Sequence, residues 1–329
     1  MEADKPLSLI SGVGGKHGFS EEHADLIRQH FQTVCYSDLL INPHLYAPKI
    51  QAVFIWKSNP VIQRCLLQSL PSLKVIATEG VGFDRLDLRY IANMGVKVTN
   101  ARGVASDATA DLAMALLLAS ARRIVQGHQT AAGGPEPTAA GPHRLACDVT
   151  GSTLGIIGMG DVGYKVARRS TGFEMNVLYH NRTQRSSEDE EAVGAGYCGN
   201  MDDLLRNSDY VVLAVNLSPG ATALIGRREL SLMKPSAILV NVSSGLVVDL
   251  DALVQALQSG TIHSAALDVT HPDPLPRSHP LRSLPNVIAT PHLGFNTAST
   301  VRRMVQRMVH DALAVLADPG RPGSSPVQV

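Results

Sequence analysis

Cysteine is scarce in this chain. Cys35, Cys65, Cys147 and Cys198 are widely spaced and in no paired pattern, which excludes the spacings of zinc and dithiol redox sites and points to reduced thiols in a reducing compartment. No metal site is expected. A surplus of either charge is missing too, since Lys plus Arg and Asp plus Glu stand at 29 each. No overall field then draws the protein to a nucleic-acid backbone or an acidic membrane, and its partners are expected to be small molecules. No apolar run reaches the length that spans a bilayer. The opening MEADKPLSLI has no apolar core flanked by basic residues, so the cytoplasm is the expected location.

What is present is a soluble-protein composition, 44% apolar and 18% charged over 329 residues. Because a single core stops growing near roughly 250 to 300 residues, two domains are expected. Short β-rich runs, LSLISGV, IQAVFIW, LKVIAT and VKVTN, alternate with helical patterns such as HADLIRQHF and PVIQRCLLQSL, which predicts a small parallel sheet. A long helical pattern, Ala105 to Val125, is followed by TAAGGPEPTAAGP, too rich in Gly, Pro and Ala for a regular element and read as a loop or hinge. Six further strand-length runs, from STLGIIG through MNVLYHN, DYVVLAV, AILVNVS and SAALDV to NVIATP, predict a second, doubly wound parallel sheet. The periodic stretch Thr297 to Leu316 is expected to return to the first domain.

The second sheet begins with LGIIGMGDVGYKVARR, in which Gly158, Gly160 and Gly163 have G-x-G-x-x-G spacing between a strand and a helix pattern. The first glycine makes a tight turn, the second lets the backbone approach a pyrophosphate, and the third packs helix on strand. The next strand ends at Asn181, eighteen residues past Gly163, where an acid would grip the ribose 2′-hydroxyl of NAD. The run there is HNRTQR, with Arg182, Thr183 and Arg185 placed to meet a 2′-phosphate by charge-assisted hydrogen bonds. NADPH is therefore expected in preference to NADH.

Hydride transfer to a carbonyl needs a proton donor and a hold on the substrate's anionic end. His292, in ATPHLGF beyond the sixth strand, is a candidate donor, and Asp273, nineteen residues upstream in DVTHPDPLP, is a candidate to orient its imidazole. The run LVNVSSGLVVD places Ser243, Ser244 and Gly245 at the end of another buried strand, where α/β enzymes carry catalytic groups.

These motifs, together with LKVIATEGVGFDRLDL and GVKVTNARGVASDATADLAMALLLASARR, make the chain resemble the D-isomer-specific 2-hydroxyacid dehydrogenases, most closely the glyoxylate/hydroxypyruvate reductase branch, over residues from about 50 to 315. The resemblance implies an α/β protein of two domains. A flavodoxin-like substrate domain takes residues 1–102 and 293–329, a Rossmann dinucleotide-binding domain takes 103–292, the active site lies in a cleft between them, and two chains form a homodimer. It further implies that the amides of Val81 and Gly82 bind the substrate carboxylate, that His292 is the acid/base with the residue at 273 as its carboxylate partner, and that Asp268 holds the nicotinamide carboxamide. Asn216, Val242 and the loop from Gly160 through Asp161 to Val162 would line the cofactor.

The chain departs from that pattern in its substrate site. Ser244 stands where the family has an Arg that binds the substrate's carboxylate and keto oxygen, and Asp273 where a Glu is usual. The Trp that the family often carries after the first crossover helix is absent, Trp56 being the sole tryptophan, and Phe295 stands where small residues are usual beside His292. Lys57, directly after IQAVFIW, is a candidate for the missing cation. The sequence thus reads as an NADPH-dependent reductase of small 2-oxo acids, of glyoxylate, hydroxypyruvate or 2-ketogluconate type, with an altered active site. The alternative is a weakly active or inactive paralogue that binds NAD(P) as a regulator or scaffold.

Overall fold

Val75–Thr78 and Tyr210–Leu213 are buried at every position, the pattern of parallel strands covered on both faces. They are inner strands of two sheets in a computed structural model that describes residues 5–80, 86–134, 145–215 and 223–318. The chain divides into two units, Met1–Ala105 with Thr297–Val329, and Ser106–Asn296.

The first unit holds β1 (Leu7–Ile10), β2 (Gln32–Cys35), β3 (Ile50–Ile55), β4 (Val75–Thr78) and β5 (Lys97–Asn100), all parallel, in the order β2-β1-β3-β4-β5. This is the flavodoxin-like order, with its topological switch between β1 and β3. The helix Ala298–Ala317 covers β4 and β5, so the end of the chain packs in the unit that its beginning forms. Val301, Met304, Val305, Met308, Val309, Ala312 and Val315 are its buried stripe, at the three- and four-residue steps that line one helix face. Thr297 caps its start by accepting from the Thr300 N–H at 3.3 Å.

The second unit holds β6 (Thr153–Ile157), β7 (Asn176–His180), β8 (Ala195–Tyr197), β9 (Tyr210–Leu213), β10 (Ile238–Asn241), β11 (Ser264–Leu267) and β12 (Val287–Ala289) in the order β12-β11-β10-β9-β6-β7-β8. The helix Ser106–Ala121 covers β10, β11 and β12. The predicted helix Ala105 to Val125 is broken instead at Arg123, whose φ of 53° is left-handed, and a second helix, Ile124–Ala131, follows. Most of the glycine- and proline-rich segment after it lies outside the described residues. β2 and β8 were not expected. In QTVC only Val34 is buried, and in AGY no residue is, so neither carries the apolar run that marks a covered strand. Among the described residues no helix is long and apolar enough to cross a membrane.

Candidate functional site

The sequence-predicted residues of the second unit that are described all lie at or just beyond the carboxyl ends of its strands. In open parallel sheets that edge forms the ligand crevice. After β6 the chain turns at Gly158 with φ 98°, and a Cβ there would stand 2.6 Å from the carbonyl oxygen of Ala214, so the turn demands glycine. A Cβ on Gly163 would lie 2.0 Å from the Gly158 oxygen, whereas one on Gly160 would meet nothing within 4 Å. The outer two glycines are thus packed against protein and the middle one faces open space. Gly160 is also the N-cap of the helix Asp161–Ser170 and gives it no side-chain cap, which leaves the helix's first N–H groups and dipole available to an anion. Asp161 is exposed and Val162 half-buried in that first turn, and Val242 is buried past β10. These residues fit a dinucleotide. Asn216 lies outside the described residues.

Beyond β7 the two arginines differ. The guanidinium of Arg185 donates to Asp189 Oδ2 at 3.1 Å and to the Met159 carbonyl at 2.8 Å, and lies 4.6 Å from the centre of the Tyr164 ring. Arg182 is exposed and pairs with no carboxylate among the described residues. The loop between them is held from below by Tyr179, whose hydroxyl accepts from the Arg185 N–H at 2.9 Å and donates to Glu190 Oε1 at 2.5 Å. Burial, with the Glu190 hydrogen bond second, pushes the Tyr179 phenol up to about 12, so it stays a neutral donor throughout the working pH range. Asn181 Nδ2 donates to the Thr183 carbonyl at 3.1 Å, which tightens the same turn.

The loop after β12 carries His292 in a left-handed backbone, φ 56°, a conformation uncommon for any residue but glycine and most often kept where function demands it. Its Nδ1 lies 3.3 Å from Asp273 Oδ2, with the side chains 51% and 44% exposed, so the pair adds little stability. The Phe295 ring meets the imidazole edge-on, centroids 5.4 Å apart. Beneath them Asp268, 2% exposed, accepts from Thr290 Oγ1 at 2.6 Å, the Leu293 N–H at 2.7 Å and the Gly294 N–H at 2.8 Å. Its backbone carbonyl accepts from the His292 N–H at 3.1 Å. Asp268 therefore fastens both sides of the loop that presents His292. No sequence signal announces this, because an Asp after a strand does not disclose which later N–H groups fold back onto it.

After β10 the serine hydroxyls serve their own loop. Ser244 Oγ accepts from the Leu246 N–H at 3.4 Å, and Ser243 Oγ donates to Asn241 Oδ1 at 2.9 Å. A Cβ on Gly245 would stand 2.1 Å from the Thr270 carbonyl carbon, so this loop is packed directly against the one after β11, which carries Asp273.

In the first unit, Lys57 and Ser58 are the central residues of a tight turn between Trp56 and Asn59, with φ of 50° and 60°, the positions where Asn-Gly is usual. The Lys57 side chain is exposed, and its N–H donates to Glu79 Oε1 at 2.7 Å. Val81 and Gly82 lie outside the described residues. Among the described residues no cluster of His, Cys, Asp or Glu is arranged to hold a metal.

The sequence profile of the "D-isomer specific 2-hydroxyacid dehydrogenase, NAD binding domain" matches residues 114–294. A glyoxylate reductase of Thermococcus litoralis is 41% identical over 257 residues, 77% of each chain. Among solved structures, the TT0316 protein of Thermus thermophilus is 35% identical with a TM-score of 0.81, covering 98% of this chain and all of that one. The NADPH-dependent glyoxylate/hydroxypyruvate reductase of Sinorhizobium meliloti, solved with NADP and malonate, is 28% identical with a TM-score of 0.80, over 98% and 97% of the two chains.

Proposed function

The chain belongs to the D-isomer specific 2-hydroxyacid dehydrogenase family, and from that premise we propose that it is an NADPH-dependent reductase of small 2-oxo acids, forming D-2-hydroxy acids. The cofactor, when bound, supplies the hydride. The observation that carries the reading is the loop after β12, where His292 is held in a left-handed backbone with Nδ1 turned to Asp273. That arrangement leaves Nε2 as the proton donor to the substrate's carbonyl oxygen. The amides of Val81 and Gly82 and the ammonium of Lys57 are assigned to the substrate carboxylate. The names of the Thermococcus and Sinorhizobium relatives support glyoxylate and hydroxypyruvate as substrates. Following NADPH consumption with glyoxylate, hydroxypyruvate and 2-ketogluconate tests the assignment, and turnover of none of them would overturn it. A homodimer and a cytoplasmic location belong to the same reading, supported by exposed Ile124, Val125 and Leu145 and by four free cysteines.

Preference for NADPH rests on Arg182, since Arg185 is already bound to Asp189, Met159 and Tyr164. A hydrogen bond to a charged group contributes about 1.5 to 3 kcal/mol, less where solvent screens it. Arg182→Ala is accordingly expected to raise the Kd of NADPH about tenfold and leave that of NADH in place. Arg185→Ala is expected to weaken both, because it loosens the loop itself. NADH bound as tightly as NADPH by the unaltered protein would refute the preference.

Ser244 leaves the site without the family's cation. Ser244→Arg is expected to lower the KM for glyoxylate by roughly tenfold, through one restored charge-assisted hydrogen bond. A KM that does not fall would show that the pocket has been rebuilt and that a cation at 244 no longer reaches the carboxylate.

A further inference from the structure

An edge strand with little to bury needs another reason to be there. β8 lies at the outer edge of the second sheet, beside β7, and none of its three residues is buried, so apolar burial contributes little to holding it. Besides its ladder with β7, hydrogen bonds at its carboxyl end fasten it. The Cys198 N–H donates to the Tyr179 carbonyl at 2.8 Å, and the Cys198 carbonyl lies 2.8 Å from His180 Nδ1, which carries the proton there because a carbonyl oxygen only accepts. The third bond reaches past the strands. Tyr197 donates its hydroxyl to the Asn181 carbonyl at 3.1 Å.

Asn181 opens the turn that carries Arg182, Thr183 and Arg185, and tyrosine hydroxyls hold both of its ends. Tyr197 fixes the Asn181 carbonyl at the entry, and Tyr179 accepts the Arg185 N–H at 2.9 Å at the exit. The two tyrosines are register partners across β7 and β8, with ring centroids 5.3 Å apart, within the range of a favourable aromatic contact. One residue earlier, the His180 carbonyl accepts the Gly158 N–H at 3.0 Å. Two successive carbonyls at the end of β7 are therefore tied, one to the glycine turn and the other to Tyr197. A peptide group is planar, so holding the Asn181 oxygen also fixes where the Arg182 N–H and Cα lie. Arg182 is the exposed arginine of the turn, whereas Arg185 is engaged by Asp189, Met159 and Tyr164.

We propose that Tyr197 is a positioning residue for cofactor choice, setting the direction in which Arg182 leaves the turn and with it the affinity for the 2′-phosphate of NADPH. The inference rests on the proposed NADPH preference and adds to it a residue of the edge strand, outside both the glycine motif and HNRTQR. NADH, whose ribose 2′-hydroxyl carries no charge, gains nothing from the direction of Arg182. A tyrosine that only braced the sheet edge would affect both cofactors alike.

Tyr197→Phe keeps the ring against Tyr179 and removes the hydroxyl alone. In calorimetric titrations of the full chain it is expected to raise the Kd of NADPH roughly three- to fivefold, less than Arg182→Ala because a misdirected arginine keeps part of its attraction, and to change that of NADH by less than about twofold. Adenosine 2′,5′-bisphosphate, which bears the 2′-phosphate without the nicotinamide, is expected to follow NADPH, so the readout does not depend on turnover. In the Arg182→Ala background the same substitution is expected to leave the Kd of NADPH almost unchanged, since two residues that act through one contact are not additive. A ratio of NADPH to NADH affinity that Tyr197→Phe does not alter overturns the proposal. An equal effect in both backgrounds overturns it too, because Tyr197 would then act independently of Arg182. If the unaltered protein binds adenosine 2′,5′-bisphosphate no more tightly than adenosine 5′-monophosphate, the NADPH preference itself fails and the proposal falls with it. A clear preference for the 2′-phosphate that survives Tyr197→Phe removes the role of Tyr197 alone.

Discussion

Replacing His292 with alanine is expected to lower kcat for glyoxylate by roughly 10²- to 10⁴-fold, the range that a positioned general acid contributes, while NADPH still binds. The backbone at this residue adds a second readout. A φ of 56° costs an L-residue about 1 kcal/mol or more and costs glycine almost nothing. His292→Gly should be as inactive as His292→Ala and yet unfold at higher denaturant, because it removes the strain that alanine keeps. Activity retained in either variant would take the proton donor away from His292. Equal stability of the two would show that the left-handed backbone stores no strain.

Asp268→Asn is expected to lower kcat by about 10²-fold without a matching loss of NADPH affinity. The carboxylate accepts three hydrogen bonds from the His292 loop, Thr290 and Leu293 on Oδ1 and Gly294 on Oδ2. An amide of the same shape replaces one acceptor with a donor, so either the Gly294 N–H or the Leu293 N–H faces another N–H in a buried site. An unsatisfied buried donor costs about 1 to 3 kcal/mol, and the loop relieves it by moving. A shift of about 1 Å in a reacting group is enough for a 10²-fold loss. The family resemblance assigns this residue to the nicotinamide carboxamide instead. In that case the Kd of NADPH would rise and kcat at saturating cofactor would change little, an outcome that would overturn the positioning role. Parallel denaturation curves separate both results from a general loss of fold.

Much of the architecture is legible in the sequence because parallel strands are marked by unbroken apolar runs. ILVN and YVVL, buried at every position, stand out from their polar surroundings. QTVC and AGY do not, since edge strands have little to bury. The helix break at Arg123 escapes because neither Gly nor Pro marks it. At the site, residue types at strand ends single out particular loops, but how the side chains within one loop are partnered is tertiary. Arg182 and Arg185 look alike in HNRTQR. Only the fold brings Tyr164, Met159 and Asp189 to one of them and leaves the other exposed. Asp268 is a lone acid in the sequence, and its three donors arrive from 22 to 26 residues later. The Lys57–Ser58 turn lacks the Asn or Gly that would announce left-handed residues.

The central claim is that this chain delivers a hydride and a proton to a 2-oxo acid, with His292 as the proton's source. The direct measurement is chiral analysis of the product formed from hydroxypyruvate and NADPH by the unaltered protein and by His292→Ala. The account predicts D-glycerate in step with NADPH consumed, and almost none from the variant. NADPH that binds the unaltered protein but yields no glycerate, or D-glycerate formed equally by both proteins, would contradict it.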